Sequence, residues 1–87
     1  MRIIFNSTFE KQYRKLNPIL QRKVDIAIEK FEVNPFDISL MNHNLTSKLV
    51  GYKSIRVNYN IRIIFKEEGG YTLVEMIQIG THNEVYR

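Results

Sequence analysis

The chain has 87 residues, no cysteine and a formal net charge of +4, with a pI near 9.5. That length is one domain, spanning 1–87, and a chain of this size buries roughly 60–65% of its unfolded surface, which allows one core and little stability to spare. Without cysteine there is no disulfide framework, thiolate nucleophile or cysteine-based metal site, which fits a reducing, cytoplasmic setting. No apolar run approaches membrane-spanning length, so no membrane partner is expected. The run Met1–Phe5 is too short for a signal peptide. The basic balance suits a polyanionic partner.

Arg2 to Phe5 reads as a short strand. Ser7-Thr-Phe-Glu10 has the form of a capping box, with Ser7 as the cap and Glu10 reaching back. The helix that follows repeats Phe9, Tyr13 and Leu16 on one face. Asn17-Pro18 stops it and opens a second helix, with Asn17 as N-cap and Pro18 in the first turn. Leu20, Val24, Ala27, Ile28 and Phe31 form the buried stripe of this second helix, and Asn34-Pro35 ends it. Residues 36–50 read as irregular, with Asn42-His-Asn44 as loop.

The segment from Gly51 to Phe65 carries the strongest pattern. Apolar and polar residues alternate at a period of two, as in two half-buried strands. Ile55 and Val57 share a face with Ile61, Ile63 and Phe65 only if residues 58–60 make a three-residue turn. Ile55 then opposes Ile63, and Lys53 opposes Phe65. The same register sets Arg56 directly across from Arg62 on the other face. Like charges directly opposed on a sheet repel, so the pair points to an anion held between them. Glu67-Glu-Gly-Gly70 reads as a turn, Tyr71 to Ile79 as a long strand, and residues 80–87 as a short tail. In the long strand Leu73, Ile77 and Ile79 share one parity while Val74 and Met76 share the other, a sign of burial on both faces or of a bulge. The order is β-α-α-β-β-β. The fold class is α+β, with a helical hairpin on one face of a small antiparallel sheet and the other face open.

This order, the hairpin and the tail together resemble the RelE/ParE superfamily of toxins from toxin–antitoxin modules, and most of all its ribonuclease branch, which includes YafQ and RelE. His43-Asn-Leu45 looks like the His-Pro-Leu of the YafQ type, with asparagine in place of proline. Gly51-Tyr-Lys53 through Ile61-Arg-Ile-Ile-Phe65 looks like the central hairpin. Ile79-Gly-Thr-His-Asn-Glu-Val-Tyr86 looks like the closing Gly-Thr-His segment with its terminal aromatic. The resemblance implies metal-independent cleavage of mRNA, typically at the ribosome, by attack of a 2′-hydroxyl on the adjacent phosphate to leave a 2′,3′-cyclic phosphate. It implies no cofactor. It implies a cognate antitoxin as partner, besides mRNA and the ribosome.

Such chemistry needs a base, an acid and cations to hold charge on the phosphate. Histidine is the side chain that ordinarily titrates near neutrality, and the chain has only two. His82 resembles the C-terminal catalytic histidine of the family and is assigned as general acid. His43 resembles the upstream histidine of the YafQ type and is assigned as base, though the two roles are interchangeable at this stage. Arg56 and Arg62 are the phosphate clamp, because guanidinium forks match phosphate oxygens. Tyr86 matches the terminal aromatic and either orients the acid or stacks on a base. Lys53 and Asn60 are placed as substrate-binding residues. Lys53 shares parity with core positions, and Asn60 stands where the YafQ type has an aspartate. His43 and His82 lack a third residue spaced to complete a metal site. Two other readings compete: a ParE-like inhibitor of DNA gyrase with the same fold and no catalysis, and an inactive toxin-like binding protein.

Overall fold

The structure is a computed structural model, which describes residues 1–86. Its elements are β1 (Arg2–Phe5), α1 (Ser7–Lys15), α2 (Pro18–Val33), β2 (His43–Asn44), β3 (Lys53–Arg56), β4 (Ile61–Glu68), β5 (Leu73–Thr81) and α3 (His82–Val85). Short 3-10 turns at Ile38–Leu40 and Ser47–Leu49 flank β2. One five-stranded sheet runs β1-β5-β4-β3-β2. The meander β3-β4-β5 is antiparallel as expected, but the sheet as a whole is mixed, because β1 lies parallel to β5.

Local chemistry explains the helical hairpin. Asn6, not Ser7, caps α1: its side chain accepts the Phe9 N–H at 2.8 Å, and Ser7 becomes the first helical residue. The expected capping box fails because Ser7 lies inside the helix, and the Glu10 N–H that it would have capped bonds the Asn6 carbonyl at 3.1 Å. Asn17 caps α2 as expected, accepting the Leu20 N–H at 2.9 Å with Pro18 in the first turn. Tyr13 on α1 donates to the Asp25 carboxylate on α2 at 2.7 Å, tying the hairpin together. Both helices cover one sheet face. The core there joins Phe9, Val24, Ala27 and Phe31 to Ile55, Ile61, Ile63 and Phe65. Phe31 meets Phe65 edge-on with ring centroids 5.0 Å apart.

The parity conflict in β5 resolves as a bulge. Ile64 pairs with Gln78 while Phe65 pairs with Met76, so Ile77 is the extra residue. Val74 and Met76 therefore face the core before the bulge and Ile79 faces it after. Beyond the end of β1, the Gln12 side chain accepts the Ile79 N–H at 2.7 Å.

Further expectations need correction. The segment read as a tail continues β5 through Thr81 and then forms α3, fixed by a capping box in which Thr81 and Glu84 exchange side-chain-to-backbone bonds. The second sheet face is consequently not fully open. Ile64 and Ser54, together with Val85 of α3, are buried outside the main cluster. Gly80 permits that approach: a Cβ there would lie 3.0 Å from Glu84 Oε1 and 3.2 Å from Glu84 Cβ. Likewise His43 and Asn44, read as loop, form a two-residue strand against Ser54 and Lys53.

Candidate active site

Residues directly opposed in a sheet project to the same face, so the register lays out the second face in rows. One row runs His43, Ser54, Ile64 and Gln78. The next runs Arg56, Arg62 and Gly80. Because Gly80 has no side chain, α3 can settle beside the arginine row and bring His82 and Tyr86 with it. The result is a cleft of about 520 Å³ lined by Arg56, Arg62, His43, His82 and Tyr86, and walled by Leu45, Thr46, Ser47 and Leu49.

The hairpin register is the one expected, with Arg56 opposite Arg62 and Ile55 opposite Ile63. Residues 58–60 make the turn, closed by the Val57 N–H to the Ile61 carbonyl at 2.9 Å. Asn58 organises it. Its side-chain oxygen accepts the N–H groups of Asn60 at 2.9 Å and Ile61 at 2.7 Å, an Asx turn. Its carbonyl accepts Arg62 Nη1 at 2.6 Å, and the Ile61 carbonyl accepts the same nitrogen at 3.2 Å. Arg62 is thus anchored through one nitrogen, which leaves Nε and Nη2 of its fork for an anion.

His43 Nδ1 lies 2.8 Å from the Met41 carbonyl. A carbonyl only accepts, so Nδ1 carries the proton and Nε2 of the neutral ring is a bare lone pair. The Met41 backbone is left-handed, with φ 49° and ψ 45°. His82 is the first residue of α3, and Tyr86 sits one turn on. Their rings meet edge to face with centroids 4.4 Å apart. The Tyr86 hydroxyl donates to Ser54 Oγ at 2.6 Å. Ser54 is 0% exposed, and no other polar residue among those described is buried.

Five of the residues singled out in the sequence therefore come together: His43, Arg56, Arg62, His82 and Tyr86. Lys53 and Asn60 do not line the cleft. Lys53 opposes Phe65, on the helix-covered face, and its ammonium bonds the Asn44 side chain. Asn60 is exposed at the turn, where it serves through its backbone. Sequence reasoning missed Ser54 and Asn58. Ser54 was within reach, since it alternates with core-facing Ile55 and so must face the cleft side. Asn58 stands at the turn entry, where an Asx turn is common.

Shifted pKa values lie elsewhere. The Tyr13 phenol is raised, first by its hydrogen bond to Asp25, and the Tyr71 phenol is raised by burial. The Asp37 carboxyl is lowered by the Ser39 hydroxyl and N–H that it accepts. No cluster of three His, Cys, Asp or Glu among the described residues could hold a metal, and no described helix is long and apolar enough to cross a membrane.

No protein-family model matches the chain, and no curated protein matches it in sequence. Solved structures do. A YoeB/ParE toxin from Agrobacterium tumefaciens superposes with a TM-score of 0.78 at 20% identity, covering 94% of this chain and 99% of that one. YafQ from Escherichia coli gives 0.78 at 20% identity over 100% of both chains. The RelBE2 toxin–antitoxin complex from Mycobacterium tuberculosis gives 0.73 at 22% identity, covering 93% and 96%. With the helical hairpin, the meander and the cleft on its second face already described, the protein has the fold of the RelE/ParE toxins, YafQ among them.

Proposed function

We propose that the protein is the toxin of a type II toxin–antitoxin module and a metal-independent endoribonuclease that cleaves mRNA at the ribosome. The convergence of two guanidinium groups and two imidazoles on one cleft carries this reading. In the reaction His43 Nε2, the lone-pair nitrogen, takes the proton of the 2′-hydroxyl. The 2′-oxygen attacks the adjacent phosphorus, and the bond to the 5′-oxygen breaks. Arg56 and Arg62 hold the charge that builds on the phosphoryl oxygens. His82 donates a proton to the departing 5′-oxygen, leaving a 2′,3′-cyclic phosphate. Tyr86 orients His82 through the edge-to-face contact. Its own proton is engaged with Ser54, so it serves poorly as the acid.

A protein antitoxin is the expected partner. RelBE2 and Escherichia coli DinJ–YafQ, two of the structural neighbours, are toxin–antitoxin complexes. The test is inducible expression in a bacterium with mapping of mRNA 5′ ends. Growth arrest with codon-phased cuts is the expected result. Arrest with intact mRNA and DNA damage would replace this reading with the gyrase-inhibitor one.

A further inference from the structure

Arg56 borders two depressions at once. One is the cleft. The other is a groove of about 130 Å³ beyond the outer edge of β3, lined by Lys23 and Lys30 of α2 together with Ser39, Leu40 and Val57. This edge is accessible because β2 pairs only with Lys53 and Ser54 and stops short of Arg56. Both lysines are exposed, and Lys30 Nζ lies 3.5 Å from Ser39 Oγ. One carboxylate stands nearby: Asp37 feels the Lys30 charge but is itself engaged by the Ser39 N–H and hydroxyl. The groove thus sets three cations against one partly satisfied anion, with an apolar floor and a side chain shared with the cleft.

We propose that this groove is a phosphate subsite, in which Lys23 and Lys30 bind the backbone of single-stranded RNA next to the scissile phosphodiester, with Arg56 as the hinge between the two phosphates. The proposal rests on the reading of the cleft as an RNA-cleaving site. Lysines bind phosphate as point charges and carry no base preference, so the subsite adds affinity and register without sequence specificity. It also gives a chain longer than two nucleotides a grip that a minimal substrate lacks.

The test compares wild type with the Lys23→Gln/Lys30→Gln and Lys23→Arg/Lys30→Arg double variants. Binding is followed by anisotropy with a labelled, uncleavable 2′-O-methyl oligonucleotide across a salt series, and cleavage is followed on a dinucleoside monophosphate. The glutamine variant should bind the oligonucleotide about tenfold more weakly at about 0.1 M salt. The slope of log affinity against log salt should shrink by about 1.4, or about 0.7 for each of two lost contacts. Dinucleotide cleavage should be unchanged, and the arginine variant should restore the slope. An unchanged slope with normal dinucleotide cleavage overturns the subsite and leaves the nuclease standing. A loss of equal size on dinucleotide and oligonucleotide also overturns it, by placing the effect in the cleft or the fold. A lysine-dependent slope in a wild type that cleaves neither the dinucleotide nor mRNA on ribosomes keeps the subsite and sinks the nuclease.

Discussion

At the scale of single residues, neighbours hold His43, Arg62 and Tyr86 in place in the cleft. His43 is held as the Nδ1–H tautomer by the Met41 carbonyl. Nitrogen NMR of the neutral ring should show the proton on Nδ1, and a signal from the Nε2–H form would remove His43 as the base. His82→Ala should lower RNA cleavage by about 10²–10⁴, the usual worth of a positioned acid or base. Cleavage unaffected by that change would take His82 out of the mechanism. Arg62 has a double role, because its Nη1 bonds the turn while the rest of its fork faces the cleft. Arg62→Ala should therefore reduce cleavage by more than its modest effect on Tm predicts, and a lower Tm with an unchanged rate would make it a structural residue. The opposed arginine pair was legible because a period of two fixes which residues share a face. The tautomer of His43 was not, since it depends on the Met41 carbonyl beside the ring, which no pattern announces.

At the scale of elements, α3 is the piece on which the site depends. Four residues make no stable helix alone; α3 is held by its capping box, by Val85 packing and by the Tyr86–Ser54 bond. Gly80→Ala would push a methyl into Glu84, with an overpacking cost of about 1–3 kcal/mol. Because α3 carries His82 and Tyr86, cleavage should fall further than stability does, and a variant with normal activity would show that α3 tolerates displacement. The helical hairpin has its own check in Tyr13. Its phenol pKa is raised by the bond to Asp25, so the stability from that bond is present below the ordinary tyrosine range and is lost as pH rises through the raised value. The Tm advantage of wild type over Tyr13→Phe should be constant near neutrality and vanish in alkali; an advantage that persists there would assign it to packing. The hairpin itself was readable, since Asn17-Pro18 and the apolar stripe of α2 are local signals. The helical tail was missed although Thr81-His-Asn-Glu84 carries the same capping-box spacing as Ser7 to Glu10, because four residues hold a helix only when Val85 packs and Tyr86 bonds Ser54.

At the scale of the whole molecule, one sheet separates two jobs. The helix-covered face holds the core, and the other face holds the cleft. The reaction proposed there draws its acid, base and cations from the chain itself. Chelator should leave cleavage intact, and activity lost to chelator but restored by a divalent ion would overturn the metal-free reading. A 2′-deoxy nucleotide at the cut site should block cleavage, since the attacking oxygen is then gone. The sequence by itself determined the strand alternation, the hairpin register, the two helices with their stop and the grouping of cations on one sheet face, because each follows from periodicity or from a local cap. Only the tertiary structure decided that β1 runs parallel to β5, that Ile77 bulges and that His43 and His82 line one cleft. Those outcomes depend on pairings between residues far apart in the chain, whose geometry is set by filling one core at close packing and not by any local preference.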